Sequence, residues 1–103
     1  MSYRVSHTPE FWAGYEAALR YLAEGLDNLQ AAEALEQELD RAINRVATFP
    51  FSMQPYPSAK PRGGEYRCID VKHYLAFYVV LGDTVEFRRF LPARANLPAW
   101  LDA

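Results

Sequence analysis

The sequence predicts an α+β domain with the element order β-α-α-β-β-β, in which a helical hairpin packs on one face of a small antiparallel sheet. Two segments in the first half repeat apolar residues at three- and four-residue spacing, as amphipathic helices do. Three segments in the second half are rich in β-branched and aromatic residues and are separated by two-residue turns. A stretch crowded with proline and glycine divides the two halves and predicts a loop.

The first half of the chain begins with a short alternating segment, Tyr3–Ser6, that predicts an edge strand. Thr8 is a suitable N-cap for the helix that follows, and Pro9 suits the first helical position because its missing N–H has no partner there. Gly25 is placed to end this helix. The apolar face consists of Phe11, Tyr15, Ala18, Leu19 and Leu22.

A second helix is predicted after the short connection 26–28, and it stops before Pro50. Its opposite face is mainly acidic, and we interpret it as a surface exposed to solvent. On this face Glu38 and Arg41 are close enough to form a weak ion pair. Two amphipathic helices joined by about three residues form an antiparallel hairpin. The apolar face consists of Ala32, Leu35, Leu39, Ile43 and Val46.

The second half predicts an antiparallel meander of strands 65–71, 74–81 and 84–91, with tight turns at 72–73 and 82–83. The helices cover one side of this sheet, and we expect its other side to be free. A last short turn is expected in the tail, residues 92–103.

The alternation of side chains along a β-strand predicts which face of the sheet each arginine of the meander occupies. Arg67 shares a face with Ile69 and Val71, so it needs a partner, either an acidic residue or a ligand. The adjacent Arg88 and Arg89 should point to opposite faces, so only one of them can join Arg67.

Length and composition limit the class of protein. A chain of 103 residues, half of them apolar, suits one domain over residues 1–103. It contains no run of about 18 apolar residues, and its first residues lack the features of a signal peptide, so we expect a cytoplasmic protein. Cys68, the single cysteine, stands in an apolar alternation and is expected to be a small buried hydrophobe.

Several motifs together resemble one family over nearly the whole chain, from Tyr3 to about Arg94. The motifs are a Tyr-x-Val opening at 3–5, Phe-Pro at 49–50 before clustered prolines, Gly-Glu-Tyr-Arg at 64–67, Lys-His-Tyr at 72–74 followed by Tyr78, and Val-Glu-Phe-Arg-Arg-Phe-Leu at 85–91 with Arg94 close behind. In this order they resemble the RelE/ParE toxin superfamily.

The resemblance implies a small cytoplasmic toxin that is neutralised by a cognate antitoxin, with which it forms a hetero-oligomer. RelE-like members cut messenger RNA on the ribosome, whereas ParE-like members poison DNA gyrase. No metal or organic cofactor is implied, and no membrane partner. Of the adjacent arginines, alignment with the family favours Arg89 as the one that joins Arg67, and Arg88 is interpreted as solvated or antitoxin-facing. The residues that we expect to contact the target are Arg67, Arg89, Arg94, Tyr74, Tyr78 and Lys60.

The two activities need different residues. RNA cleavage requires an acid and a base beside cations. RelE-like nucleases carry a Tyr or His near the C-terminus, where this chain has Trp100 as its last aromatic residue, and we assign no catalytic residue. We interpret His73 as a solvated residue of a turn and not as a catalytic acid or base. His7 is a weaker candidate for either catalytic role than His73. A net charge of −2 also opposes tight ribosome binding, although residues 51–103 carry seven basic and five acidic side chains.

We therefore favour a ParE-like toxin that binds and inhibits DNA gyrase. Such a toxin needs a surface with anchor residues, for which arginine and aromatic side chains are the usual choice. Two alternatives stay open. One is a RelE-like messenger RNA endonuclease. The other is a non-toxic member of the superfamily that acts as an antitoxin-binding or regulatory protein.

Overall fold

The structure, a computed structural model, describes residues 2–53, 55–56 and 65–94. The predicted class and order of elements are confirmed. The elements are β1 (Arg4–His7), α1 (Pro9–Arg20), α2 (Leu29–Thr48), β2 (Arg67–Val71), β3 (Tyr74–Leu81) and β4 (Thr84–Pro92). The short turn that we expected in the tail falls on residues 95–103 and so lies outside the described residues.

The first helix begins at the predicted cap. The Thr8 hydroxyl accepts a hydrogen bond from the Phe11 N–H at 3.1 Å and donates one to the Arg88 carbonyl at 2.8 Å, which fastens the start of α1 to β4. After α1 the chain makes one π-helical turn, Tyr21–Gly25, so the helical segment ends at Gly25 as predicted.

The second helix also has a side-chain cap, because the Asn28 carboxamide oxygen accepts a hydrogen bond from the Ala31 N–H at 3.0 Å. Its acidic face is largely exposed, and the predicted pair of Glu38 and Arg41 is present. Its buried residues are Ala32, Leu35, Leu39, Ala42, Val46 and Ala47, and the predicted Ile43 is partly buried against the same core.

The four strands form one sheet in the order β1-β4-β3-β2. Strands β2, β3 and β4 are antiparallel, as predicted, but β1 pairs parallel to β4, so the sheet is mixed. Within the meander β4 runs in the same direction as β2, so β1 is parallel to both of them. Both predicted hairpin turns are present, with Lys72 at φ 58° and Gly82 at φ 62°.

Both faces of the sheet carry buried apolar residues. The face toward the helices belongs to the main core, which includes Phe11, Leu35, Val46, Tyr78 and Phe87. The opposite face holds a second core of four buried residues, Tyr66, Phe77, Val79 and Leu91, against which Tyr56, Cys68 and Leu75 pack.

The expectation that the side of the sheet away from the helices is free is therefore wrong. Phe77 and Val79 are 0% exposed. The segment before β2 contributes cover, because the Tyr56 N–H bonds the Tyr66 carbonyl at 2.7 Å and the Tyr56 ring meets the Phe77 ring edge-on at 5.2 Å. The uninterrupted apolar run of residues 74–81 is typical of a strand that is buried on both faces.

A β-bulge changes which way the arginines of β4 point. Tyr78 pairs with Phe87, whereas the preceding Phe77 pairs with Arg89, so Arg88 is the extra residue. Paired residues share a face, which puts Arg89 on the side of Phe77 and the second core. Arg88 also contacts that side, through Tyr66.

Two predictions about faces are consequently wrong. Arg88 and Arg89 do not point to opposite faces, since the bulge resets the alternation between them. Neither arginine joins Arg67, which lies with Ile69 and Val71 on the face toward the helices.

Candidate functional site

Arg67 is held by three contacts at the edge of the sheet. Its guanidinium donates to the Met53 carbonyl, pairs with Glu65 at 3.1 Å and lies over the Phe51 ring at 5.1 Å. Only 15% of its side chain is exposed. The predicted pairing with an acidic residue is confirmed, and the contacts fasten the loop that follows α2 to β2.

Tyr78 has a structural role. Its side chain is 0% exposed, and its hydroxyl donates a hydrogen bond to the Pro50 carbonyl at 2.7 Å. Burial raises the pKa of Tyr78 to about 12. The ring belongs to the main core and anchors the same loop that Arg67 holds, so its side chain is not at the protein surface.

The loop that these two residues hold presents an aromatic pair that the sequence reasoning did not select. Phe49 and Phe51 are 62% and 59% exposed. Between them Pro50 is buried, and the Phe49 carbonyl accepts hydrogen bonds from both the N–H and the hydroxyl of Ser52. We call residues 49–53 the aromatic loop. The Phe-Pro-Phe run is the available signal, but the sequence analysis used only Phe49-Pro50, as the end of the second helix and as one motif of the family resemblance.

Tyr74 and Arg94 come together at a different place, an open groove of about 840 Å³ between α1 and the end of the sheet where β3 begins and β4 ends. Small residues of α1, among them Gly14 and Ala17, line one side. Tyr74 stacks on Phe90 at 5.2 Å to line the other.

The arginines on the second-core side have different surroundings. Arg88 pairs with Glu86 at 2.7 Å, lies 6.0 Å from the Tyr66 ring and is only 18% exposed, so the interpretation as a solvated residue is wrong. Arg89 is half-buried and makes no ion pair with another described residue. Lys60 lies outside the described residues.

The candidate residues that the structure describes therefore do not form one cluster. Arg67 and Tyr78 support the aromatic loop, Tyr74 and Arg94 line the groove, and Arg89 lies on the opposite face of the sheet.

The remaining candidates for an acid, a base or a nucleophile, His7, His73 and Cys68, have surroundings that are typical of structural residues. His7 stacks on Phe87 at 5.7 Å and lies 4.9 Å from the Trp12 ring, and burial lowers its pKa. His73 is exposed in a turn, as predicted. Cys68 is half-buried, and burial followed by the charge of Asp70 raises the pKa of its thiol, which opposes a thiolate nucleophile.

No group of three histidine, cysteine or acidic side chains in residues 2–53, 55–56 and 65–94 is arranged to hold a metal ion. None of the helices described is both long enough and apolar enough to cross a membrane.

Comparison with solved structures shows that the fold is shared by proteins of toxin-antitoxin systems. A structure of the chromosomal ParDE system from P. aeruginosa matches with a TM-score of 0.69 at 16% identity, over 88% of this chain and 96% of the other. The E. coli DinJ-YafQ complex matches with a TM-score of 0.53 at 15% identity, over 93% and 98%. The archaeal RelE-RelB complex from Pyrococcus horikoshii matches with a TM-score of 0.50 at 17% identity, over 92% and 100%.

Sequence comparison identifies the family within this class. Among curated proteins, none matches the chain. The family model for the ParE toxin of the type II toxin-antitoxin system parDE matches residues 5–97. The chain therefore belongs to the ParE toxin family within the RelE/ParE superfamily, and it is the toxin component of a type II toxin-antitoxin system.

Proposed function

We propose that this toxin acts in the cytoplasm by binding and inhibiting DNA gyrase, and that a cognate antitoxin neutralises it. The aromatic loop is the observation that carries the proposal. Exposed aromatic residues on a rigid support are the usual anchors of a binding surface, because little side-chain and loop freedom is lost on binding. Phe49 and Phe51 have such a support in the bonds of Arg67 and Tyr78 to the loop backbone.

The placement of the arginines favours binding over RNA cleavage. A nuclease would need its cations, acid and base around one scissile phosphate. Here Arg67 and Arg89 lie on opposite faces of the sheet. Tyr78, whose pKa is raised to about 12, uses its hydroxyl inside the core, where it has no access to RNA. The resemblance to ParE-like toxins, which poison gyrase, supports gyrase as the target.

Neutralisation by an antitoxin is supported by the kind of protein with which the fold is shared. The DinJ-YafQ and RelE-RelB structures are toxin-antitoxin complexes, and the P. aeruginosa structure is of a ParDE system. We expect this chain to form a hetero-oligomer with its own antitoxin.

The proposal is tested by expressing the chain alone from an inducible promoter and by titrating the purified protein against gyrase supercoiling activity. We expect filamentous cells, double-strand DNA breaks and inhibition of supercoiling. Translation arrest with cut messenger RNA would favour the nuclease alternative. Unimpaired growth would favour a non-toxic member of the superfamily.

Two substitutions test two separate parts of the surface, because Phe49 lies in the aromatic loop and Arg89 lies on the second-core face of the sheet. Phe49→Ala should raise the concentration needed for gyrase inhibition by at least about tenfold, as expected for a hot-spot aromatic. Arg89→Ala should abolish toxicity while the protein still folds and binds its antitoxin. Leu29→Ala, at a residue that is 64% exposed on the hairpin, is the matched control and should inhibit like the wild type. Full inhibition by Phe49→Ala would exclude the aromatic loop from the site.

A further inference from the structure

The β-bulge in β4 decides on which face of the sheet Arg89 lies. Side chains alternate along a strand, so an unbroken β4 that buries Phe87 in the main core would turn Arg89 toward that core as well. Because Arg88 is the extra residue of the bulge, Arg89 instead pairs with Phe77 and lies on the face of the second core. A contact between Arg89 and a target therefore depends on the geometry of this bulge.

No ion pair within the described part of the chain fixes the side chain of Arg89, which is half-buried. Arg88, by contrast, pairs with Glu86 at 2.7 Å. The direction in which the Arg89 guanidinium projects is therefore set mainly by the backbone that carries it. Bulges commonly redirect a side chain in this way. A small change in the bulge backbone would consequently change what Arg89 can reach.

Thr8 bonds the backbone of the bulge from outside the meander. Its N–H donates to the Phe87 carbonyl at 2.9 Å, and its hydroxyl donates to the Arg88 carbonyl at 2.8 Å. The same hydroxyl accepts from the Phe11 N–H, so one side chain both caps α1 and holds the bulge. Arg88 stands outside the register of β3 and β4, and a backbone carbonyl that leaves the ladder needs another donor. The Thr8 hydroxyl supplies that donor.

We propose that Thr8 is a positioning residue for target binding: its hydroxyl fixes the bulge carbonyl of Arg88 and thereby the direction in which Arg89 projects. This inference rests on the proposed role of Arg89 in binding gyrase and adds a residue that acts through Arg89. The support is rigid, because α1 packs so closely on β4 that a side chain at Gly14 would collide with the Phe90 carbonyl.

The burial of Phe87 and Phe90 also favours a bulge. Both rings lie in the main core at a spacing of three, which requires an extra residue between them. This burial determines that a bulge is present, whereas the bond from Thr8 determines where one carbonyl within it points. The experiment must therefore separate the loss of this hydrogen bond from the loss of the helix cap and from a general loss of stability.

The experiment measures the toxin concentration that half-inhibits gyrase supercoiling, at a temperature at which melting curves show every variant to be folded. Thr8→Val removes the hydroxyl with little change in the shape of the side chain. Thr8→Asp keeps a good N-cap, but an ionised carboxylate cannot donate to the Arg88 carbonyl. We expect both variants to raise the half-inhibitory concentration by about fivefold or more, a factor that corresponds to one lost hydrogen bond.

Two controls accompany these variants. Thr8→Ser keeps a hydroxyl that donates and accepts, so it should stay within about twofold of the wild type. Asn28→Ala removes the cap bond to the Ala31 N–H of α2 and leaves the bulge untouched. It should lower the melting temperature as Thr8→Val does, yet its inhibition should also stay within about twofold of the wild type. A purely structural role of Thr8 would instead make inhibition follow the melting temperature in every variant.

Arg89→Ala is the reference that separates this inference from the proposed function. If Arg89→Ala no longer inhibits gyrase but Thr8→Asp inhibits like the wild type, the positioning role is overturned and the proposed function stands. The role is also overturned if Thr8→Ser loses as much inhibition as Thr8→Val, or if Asn28→Ala does. A wild-type toxin that leaves gyrase active, or full inhibition by Arg89→Ala, would overturn the proposed role of Arg89 and this inference with it.

Discussion

At the scale of single residues, one buried hydroxyl connects the core to the proposed binding surface. Tyr78 lies in the middle of the sheet, yet its bond reaches the carbonyl of Pro50, between the two exposed phenylalanines. The resemblance to the RelE/ParE superfamily placed Tyr78 among the target-binding residues, as one of the aromatic residues of its second meander strand. In a strand that is apolar throughout, the alternation of side chains does not show on which face a side chain makes a hydrogen bond.

Tyr78→Phe should lower the free energy of unfolding by about 1–2 kcal/mol, because it leaves the Pro50 carbonyl without its partner. Urea unfolding measures this change. Tyr74→Phe is the control, since the Tyr74 hydroxyl has no hydrogen-bond partner among the described residues, and it should change stability by less than about 0.5 kcal/mol. Equal stability of Tyr78→Phe and the wild type would mean that the bond contributes nothing.

His7 makes the stability of the fold depend on pH, and the direction of its pKa shift gives the sign of this dependence. Burial among aromatic rings lowers its pKa below the 6.5 of the unfolded chain, and its Nε2 is buried without a hydrogen-bond partner in the described structure. The unfolded chain therefore binds the proton more readily. The stability that neutral His7 provides is complete above pH 6.5 and is lost as the pH falls toward the pKa of the folded state.

We expect His7→Phe to flatten the decline of stability between about pH 7.5 and pH 5.5, because a phenyl ring keeps the aromatic packing and cannot be protonated. Urea midpoints at a series of pH values measure the slope. His73→Gln, at the exposed turn, should keep the slope of the wild type. A slope that is unchanged in His7→Phe would assign the pH dependence to other groups.

At the scale of elements, Gly14 sets how closely α1 approaches β4. A Cβ atom at this position would lie 2.3 Å from the carbonyl oxygen of Phe90, which is too close for any residue larger than glycine. The same close approach shapes the groove, since Gly14 lines it.

Gly14→Ala should destabilise the protein by about 1–3 kcal/mol, because the helix must shift away from β4, and this exceeds the roughly 1 kcal/mol that alanine gains in helix propensity. Gly25→Ala is the control, because its Cβ would meet only the edge of the Tyr21 ring, at 3.1 Å, and that ring is 56% exposed and able to move. Chemical denaturation compares the two. A Gly14→Ala variant as stable as the wild type would show that α1 can move without cost.

Most elements follow from local signals in the sequence. The cap at Thr8, the two-residue turns and the helical periodicity depend on neighbours within one or two turns of the chain, so the sequence alone predicts them. The bulge in β4 was missed although a signal for it exists. Phe87 and Phe90 are both buried in the main core at a spacing of three, which a strand of period two cannot achieve without an extra residue.

At the scale of the whole molecule, the sheet has a core on each side. The sequence suggested one free face because the two predicted helices can cover only one. Tyr66 and Leu91 are nevertheless buried on the other face. Contacts between distant segments, such as Tyr56 on Phe77, have no local signal, and for the same reason the parallel pairing of β1 with β4 could not be derived.

Phe77→Ala tests whether the second core stabilises the domain. We expect it to cost about 3–4 kcal/mol, similar to Phe87→Ala in the main core, because both rings are 0% exposed. Phe49→Ala, at a residue that is 62% exposed, should cost less than about 1 kcal/mol. Equilibrium unfolding measures all three. A cost for Phe77→Ala as small as that for Phe49→Ala would show that the second core is loosely packed.

The parallel pairing of β1 with β4 also bears on the timing of synthesis. His7 is synthesised 85 residues before Pro92, where the strand that pairs with it ends. At about 5–20 residues per second, β1 has no partner for roughly 4–17 s while the intervening elements are made. The sheet is therefore completed only after nearly the whole described chain has been synthesised, and a nascent toxin has no finished sheet until then.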